Sequence, residues 1–351
     1  MLKKLFVLIS FVFLLISCGE KNDKPANDLS GENKFSFDST NLKTEGIDNS
    51  GKPFLMEYKF KKGDKHLYRV TSISKNIQKL VMDTTITSGA EQNIVYLIDF
   101  EVKDVDKDGI TEAELNINSI KLNAEVNKEK FEFESGKDTD TSKLIQFAEY
   151  HSLHNNPFSV TFNKKGEVIE VFKADKISNK FLELKGAADT ISVNDRNTIR
   201  QELIAGILAP LITQIIRKLS DKEVYKDSTW ELKQAPVSMM VYQINYVNQY
   251  KVENVEKLDD HRIAVINASI SFNYQGQPKL SQGNVTYNFD KPKSTAEGKI
   301  YFDVDQGLQI KSRTKTSMQL NYSMEANTPQ GKQKGSRSDV VTNTNIVELI
   351  K

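Results

Sequence analysis

Two stretches 150 residues apart carry the same two-residue alternation, and that repeat ties the chain to antiparallel β architecture. Ile98, Phe100 and Val102 alternate with Asp99, Glu101 and Lys103, the period of a strand with one wet face. Asp108-Gly109 and a second alternating run from Leu115 follow, which is a hairpin signal. The phase shifts at Ser119, where Ile120, Leu122 and Ala124 take over, so a β-bulge is expected there. Displaced by 150 residues, Phe100 meets Tyr250, Val102 meets Val252, Val105 meets Val255 and Leu115 meets Val265. The second copy shows the same change of phase, from Ile263 and Val265 to Ala268, Ile270, Phe272 and Tyr274. Val160–Gly166 and Phe302–Gly307 correspond more loosely, each reading as strand, turn, strand.

Between the copies lies the longest helical pattern. Ser192-Val-Asn-Asp195 has the form of a capping box. Ile199, Leu203, Ile204, Ile207, Leu208, Leu211, Ile212, Ile215, Ile216 and Leu219 then recur at helical spacing. Arg200, Gln201, Arg217 and Lys218 lie mostly off that stripe, and Pro210 predicts a kink. Weaker amphipathic stretches run over 143–151 and 176–185. The expectation is an α+β fold: two antiparallel, curved β-rich halves, 53–175 and 223–351, bridged by an amphipathic helical segment, 176–222, that covers their apolar faces.

The N-terminus supplies an address. Lys3 and Lys4 precede an apolar run from Leu5 to Ile16, then Ser17 and Cys18, the only cysteine in 351 residues. The run is too short for a spanning helix, which needs about 20 residues. The order resembles a bacterial lipoprotein signal peptide, 1–17, with Cys18 as the acylated first residue of the mature chain. Multiple acyl chains hold a protein stably on a membrane. With its one thiol so used, the chain has none left for disulfides, thiolate metal sites or a cysteine nucleophile. Residues 18–52, rich in Lys, Asn, Asp, Ser and Gly, read as a flexible polar tether reaching roughly 30 Å. Lysines and acids are interspersed at a net charge of +1, so no basic face argues for nucleic acid.

Few constellations suggest chemistry. Asp104, Asp106 and Asp108 with Gly109 open like a calcium loop, but Leu115 stands where the bidentate glutamate belongs, and the other copy lacks the pattern. They are weak metal candidates beside the simpler reading of a solvated turn. His151 and His154 form an H-x-x-H pair beside Glu149, and Asn155-Asn156-Pro157 puts His154 at a helix end. Ser72-Ile-Ser-Lys75 matches S-x-x-K, yet falls in a strand pattern. Trp230, the only tryptophan, reads as an aromatic anchor at a core edge rather than a ligand platform. No catalytic residue and no cofactor is expected.

A lipobox, a polar stem, Tyr58-Lys-Phe-Lys-Lys-Gly-Asp64 and Asp227-Ser-Thr-Trp230 together resemble uncharacterised envelope lipoproteins of the Bacteroidetes type, some grouped under a domain of unknown function. The resemblance implies a lipid-anchored envelope protein and transfers no functional residue. Gly19 rather than Asp after the cysteine points to the outer membrane. Two roles fit: a non-enzymatic binding or scaffold module with a protein or glycan partner, or a carrier that encloses a lipid or other apolar ligand between a curved sheet and helices.

Overall fold

The computed structural model describes residues 31–47, 52–329 and 331–350. The first half contributes β1 (Glu45–Gly46), β2 (Lys65–Val81), β3 (Thr85–Val105), β4 (Thr111–Val126), β5 (Glu129–Glu134), β6 (Phe158–Phe162) and β7 (Val168–Phe172). Short helices α1 (Thr141–Gln146) and α2 (Ala148–Leu153) precede β6. After β7 come α3 (Asp175–Leu184), α4 (Val193–Leu203), a π turn over Ile204–Leu208 and α5 (Ala209–Ile215). The rest is β8 (Thr229–Lys233), β9 (Val237–Met239), β10 (Tyr242–Leu258), β11 (His261–Gly276), β12 (Lys279–Gln282), β13 (Val285–Phe289), β14 (Lys293–Asp303), β15 (Leu308–Thr328) and β16 (Gly331–Leu349).

The expected α+β arrangement of two β-rich halves is overturned. All the strands belong to one 16-stranded sheet with the main order β1-β10-β11-β14-β15-β16-β2-β3-β4-β6-β7. The seam is β16, which pairs antiparallel with β15 on one side and with β2, from Tyr68↔Leu349 to Val81↔Ser336, on the other. Alternation along a strand records which side chains face water, but carries no information on which distant strand lies alongside. The helices form a cover on one face rather than a bridge between halves.

Locally the reading fares better. Both repeated hairpins exist, as β3–β4 and β10–β11, and each has a register shift at the same relative place, between Val102 and Asp104 and between Val252 and Asn254. The bulge at Ser119 is also present: Leu97 pairs with Ser119 and Ile98 with Ile117. The phase change in the second copy has another cause. Ala264, Ile266 and Ala268 face the helices, whereas Ile263 and Val265 pack on the opposite face with Tyr301 and Leu42. Both faces of β11 are covered there, so its sequence is apolar at consecutive positions.

We call the helix-covered face inner. Ile199, Leu203, Ile207, Leu208, Leu211, Ile212 and Ile215 join Tyr68, Val70, Tyr96, Ile120, Val252, Ile266 and Val347 in the main core. Ser192 caps α4 as expected: its Oγ accepts from Asp195 N at 3.1 Å and donates to the Asp195 carboxylate. The wide π turn directly before Pro210 absorbs the missing N–H, keeping the stripe on the sheet.

Residues 31–47, part of the stretch read as a tether, lie across the outer face. Lys34 donates to Ser119 on β4, and its carbonyl accepts from Arg69 on β2. The Asp38 carboxylate meets Lys311 on β15 at 2.8 Å, and its N–H donates to Glu348 on β16. Burial opposes ionisation of Asp38, but the Lys311 and Thr40 hydrogen bonds win and hold its pKa near about 2. Leu42 packs on the β11–β14 cluster, and Glu45-Gly46 pairs with β10. This strap therefore crosses consecutive strands from β4 to β10.

Beneath the strap, Arg69 and Glu348 form a buried ion pair at 3.4 Å, with side chains only 5% and 11% exposed. Removing one partner of such a pair strands a buried charge. Arg69→Met is expected to lose about 3–5 kcal/mol of stability, and Arg69→Met with Glu348→Leu to recover most of it. Urea unfolding of the two variants measures the difference.

Candidate functional site

The antiparallel register lays inner-face side chains out in rows across the strands. One row runs Val252, Ile266, Ile300, Ser312, Val347, Val70, Tyr96, and it is the apolar core under the helices. The next row reads Trp230, Tyr250, Ala268, Gly298, Thr314, Asn345, Ser72, and beyond it Asn248, Ile270, Thr316, Asn343 and Ser74 follow. Composition changes within one pleat, from branched apolar side chains to small ones and short polar ones.

The small residues leave a groove. Ala268 and Ala296 form its floor, with Asn248 and Tyr250 on one side and Thr314 and Thr316 on the other, enclosing about 120 Å³. Gly298 is required, because a Cβ there would sit 2.7 Å from Thr314 Cγ2. Past the Ser269↔Glu297 pair, β11 and β14 separate. Ile270, Phe272 and Tyr274 then face Lys293–Thr295 across a cleft of about 520 Å³. Tyr274 Oη and Ser294 Oγ hydrogen-bond across it. Tyr242, Phe289, Leu320 and Tyr322 form a small core of their own, with Tyr274 packed against it.

Arg217 lies at the inner end of the groove. The chain leaves α5 at Ile216 in an extended conformation. Arg217 N donates to Tyr58 Oη at 2.8 Å, and Tyr58 Oη donates back to Arg217 O at 3.2 Å. Gly166, at φ +77°, permits this close seat, since a Cβ there would lie 2.2 Å from Arg217 O. Arg217 Nε donates to Gln309 Oε1 at 3.0 Å, and Gln309 Nε2 donates to Gln214 O at 2.8 Å. Burial lowers the Arg217 pKa, offset only by the phenols of Tyr250 and Tyr58. Its neighbour Lys218 meets Glu167 at 3.0 Å, whereas no carboxylate among the described residues pairs with Arg217. Trp230 stacks on Tyr250 at 5.1 Å, and its buried Nε1–H has no acceptor among the described residues. Trp230, Arg217 and Gln309 line a void of about 10 Å³ here, room for about one water.

A second depression, about 340 Å³, lies on the outer face beside Asn41. Its cations are answered or wet: Lys299 meets Glu253 at 2.7 Å, and Arg313 and Lys315 are exposed.

The residues singled out in the sequence scatter. Cys18 lies outside the described residues. Asp104 pairs with Lys62 at 3.2 Å, while Asp106 Oδ1 accepts from the Asp108 and Ile110 N–H groups and closes the turn. Among the described residues no group of three or more His, Cys, Asp or Glu side chains could hold a metal ion. Ser72 faces inward, but Lys75, three residues on, projects from the opposite face and pairs with Glu91. His151 packs edge-on against Phe133 at 4.8 Å, and His154 caps α2. Trp230 packs at the edge of the main core and stacks on Tyr250, which lines the groove. Arg217 went unnoticed because the helical pattern marked it only as lying off the stripe, with nothing to say what it meets after the helix ends. The legible signal was Ala268, Ala296 and Gly298, small residues inside strands that otherwise carry larger ones.

Residues 108–309 match a family of unknown function, DUF6263. The chain belongs to that family. No curated protein matches the chain. Among solved structures, one described as showing lipid–protein interactions in lipovitellin has 11% identity and a TM-score of 0.39, covering 83% of this chain and 25% of that one. An outer membrane channel from Pseudomonas putida F1 has 7% identity over 88% of this chain and 100% of its own, with a TM-score of 0.18. The OccK2 protein of Pseudomonas aeruginosa, in complex with glucuronate, has 5% identity over 80% and 96%, with a TM-score of 0.19. Likenesses this slight carry no weight for fold or ligand.

One titrating group stands apart from the groove. Burial beside Tyr96 and Tyr150 raises the Glu149 pKa to about 7, and Lys185 only partly offsets this. A raised acid binds its proton more tightly in the folded state. The resulting stabilisation is complete below the ordinary carboxylate range and is lost as pH rises through about 7. Between pH 5 and 8 the wild type is therefore expected to lose up to about 3 kcal/mol relative to Glu149→Gln. His66, His151 and His154 are lowered by burial and act in the opposite sense, but they are common to both proteins. Urea midpoints at both pH values give the difference, and a constant difference would mean that Glu149 does not titrate between pH 5 and 8 in the folded protein.

Proposed function

We propose that this protein is a non-enzymatic binding module of the bacterial cell envelope, anchored through lipid on Cys18, that holds an elongated ligand along the inner face of its sheet. The observation that carries the reading is the floor of Ala268 and Ala296, which opens a trough between the helix-covered core and the cleft at Ile270. A sheet that needed only to be covered would carry branched side chains there, as the adjacent row does. The groove presents amides, hydroxyls and apolar surface, groups that hold and orient a ligand. This favours a carrier of an amphiphilic or apolar molecule over a scaffold that works through its edges. The anchor rests on the sequence: the charged start, the short apolar run and Ser17-Cys18.

Native mass spectrometry of the full chain, produced unlipidated in the cytoplasm, purified without detergent and incubated with an envelope lipid extract, is the test. A 1:1 adduct is expected, and Ala296→Phe, which fills the groove, should abolish it while leaving the urea midpoint near that of the wild type. A bare mass for the wild type would sink the carrier reading. Separately, Cys18→Ser should lose incorporation of radiolabelled palmitate and leave the membrane fraction. Labelling that persists in this variant would refute the anchor.

A further inference from the structure

We infer that the groove takes an amphiphile with an acidic head, a carboxylate or a phosphate, and that Arg217 binds that head. This inference rests on the reading of the groove as a ligand site and names the ligand's chemistry. A guanidinium is always charged, and at a half-buried position such as Arg217 an anion facing its free N–H groups stabilises it more than neutral acceptors do. Arg217 has neutral partners: Gln309 Oε1 at Nε, and the phenol of Tyr250. A guanidinium offers five N–H donors in a planar fork, so donors remain where Arg217 lines the groove.

Glu167 is taken by Lys218, and Glu297, which also lines the groove, lies opposite Lys315 in the β14–β15 register, with no ion pair to Arg217 among the described residues. The clamp from Tyr58 and the close seat over Gly166 fix the Arg217 backbone, and Gln309 holds its Nε. The unused Trp230 Nε1–H, lining the void with Arg217, adds a second donor for an anionic oxygen. From Arg217 the surface runs over Ala268 and Ala296 to Ile270, then Phe272 in the cleft, which gives an apolar track for a chain. Charge at one end and apolar surface beyond it match an amphiphile with a single acidic head.

Trp230 is the only tryptophan, so its fluorescence reports on the site directly. The full chain is titrated with dodecanoate, dodecyl phosphate, 1-dodecanol, acetate and inorganic phosphate, all below micelle-forming concentrations. Dodecanoate or dodecyl phosphate is expected to bind saturably and about tenfold or more tightly than 1-dodecanol, the size of one charged hydrogen-bonded contact. The two heads tell a fatty acid from a phospholipid-like ligand. Arg217→Met should erase that preference while keeping 1-dodecanol binding, and Arg217→Lys should keep part of it.

Equal binding of dodecanoate and 1-dodecanol by the wild type would overturn the acidic head and leave the groove reading intact; this comparison needs no variant to fold. Binding of inorganic phosphate or acetate as tight as that of the chain-bearing acids would overturn the amphiphile. Failure of every probe, with an adduct present in the lipid-extract experiment, would overturn the inference alone. Failure of both experiments would overturn the groove reading with it.

Discussion

The pairing of β16 with β2 is the contact on which the rest of the architecture depends. It joins the last strand of the chain to the first long one and places β16 in the middle of the sheet. The helices can then cover one continuous surface instead of two, and the strap can cross the outer face from β4 to β10 on an unbroken floor. The buried Arg69–Glu348 pair lies at this seam, one residue on each strand, with Asp38 and Lys311 tied to it from the strap and from β15. Burial raises the Glu348 pKa despite the nearby arginine, so the pair is held by geometry as much as by charge.

What was legible in the sequence follows from what is local. The hairpin at Asp106–Gly109, the bulge at Ser119, the cap at Ser192 and the stripe from Ile199 to Leu219 depend on neighbours within a few residues, and each is present. The repeated hairpin was legible too, but the register shift that both copies carry, at Val102 and at Val252, left no mark on the alternation. The sheet was not, because the partner of β2 lies some 270 residues away and leaves no mark on the period of either strand. The strap was hidden for a related reason. Residues 31–47 are too polar to bury much surface of their own, and they are held by Lys34, Asp38 and Leu42 meeting sites on remote strands.

The groove shows the same division. Its floor could be read from Ala268 and Ala296, once their strands were known to be adjacent. Its charge could not, since Arg217 belongs to the helical pattern in sequence and to the sheet in space. The helix stops at Ile215, and the next turn of chain is claimed by Tyr58. Membership of a family of unknown function leaves the site to be judged on its own chemistry: one cation with neutral partners, a tryptophan donor, and a track of small and apolar side chains.

The strap has a mechanical meaning. It runs across the strands, and its contacts lie in series: Lys34 on Ser119, Asp38 on Lys311 and Glu348, Leu42 on Tyr301 and Val265, then Glu45-Gly46 on β10. A force on the chain from its amino-terminal side meets these contacts one at a time, beginning at β4. Such loading peels, and peeling needs far less force than sliding long strands past each other. The strap would yield stepwise and pay out length before any strain reached the hydrogen bonds of the sheet or the groove on its far side.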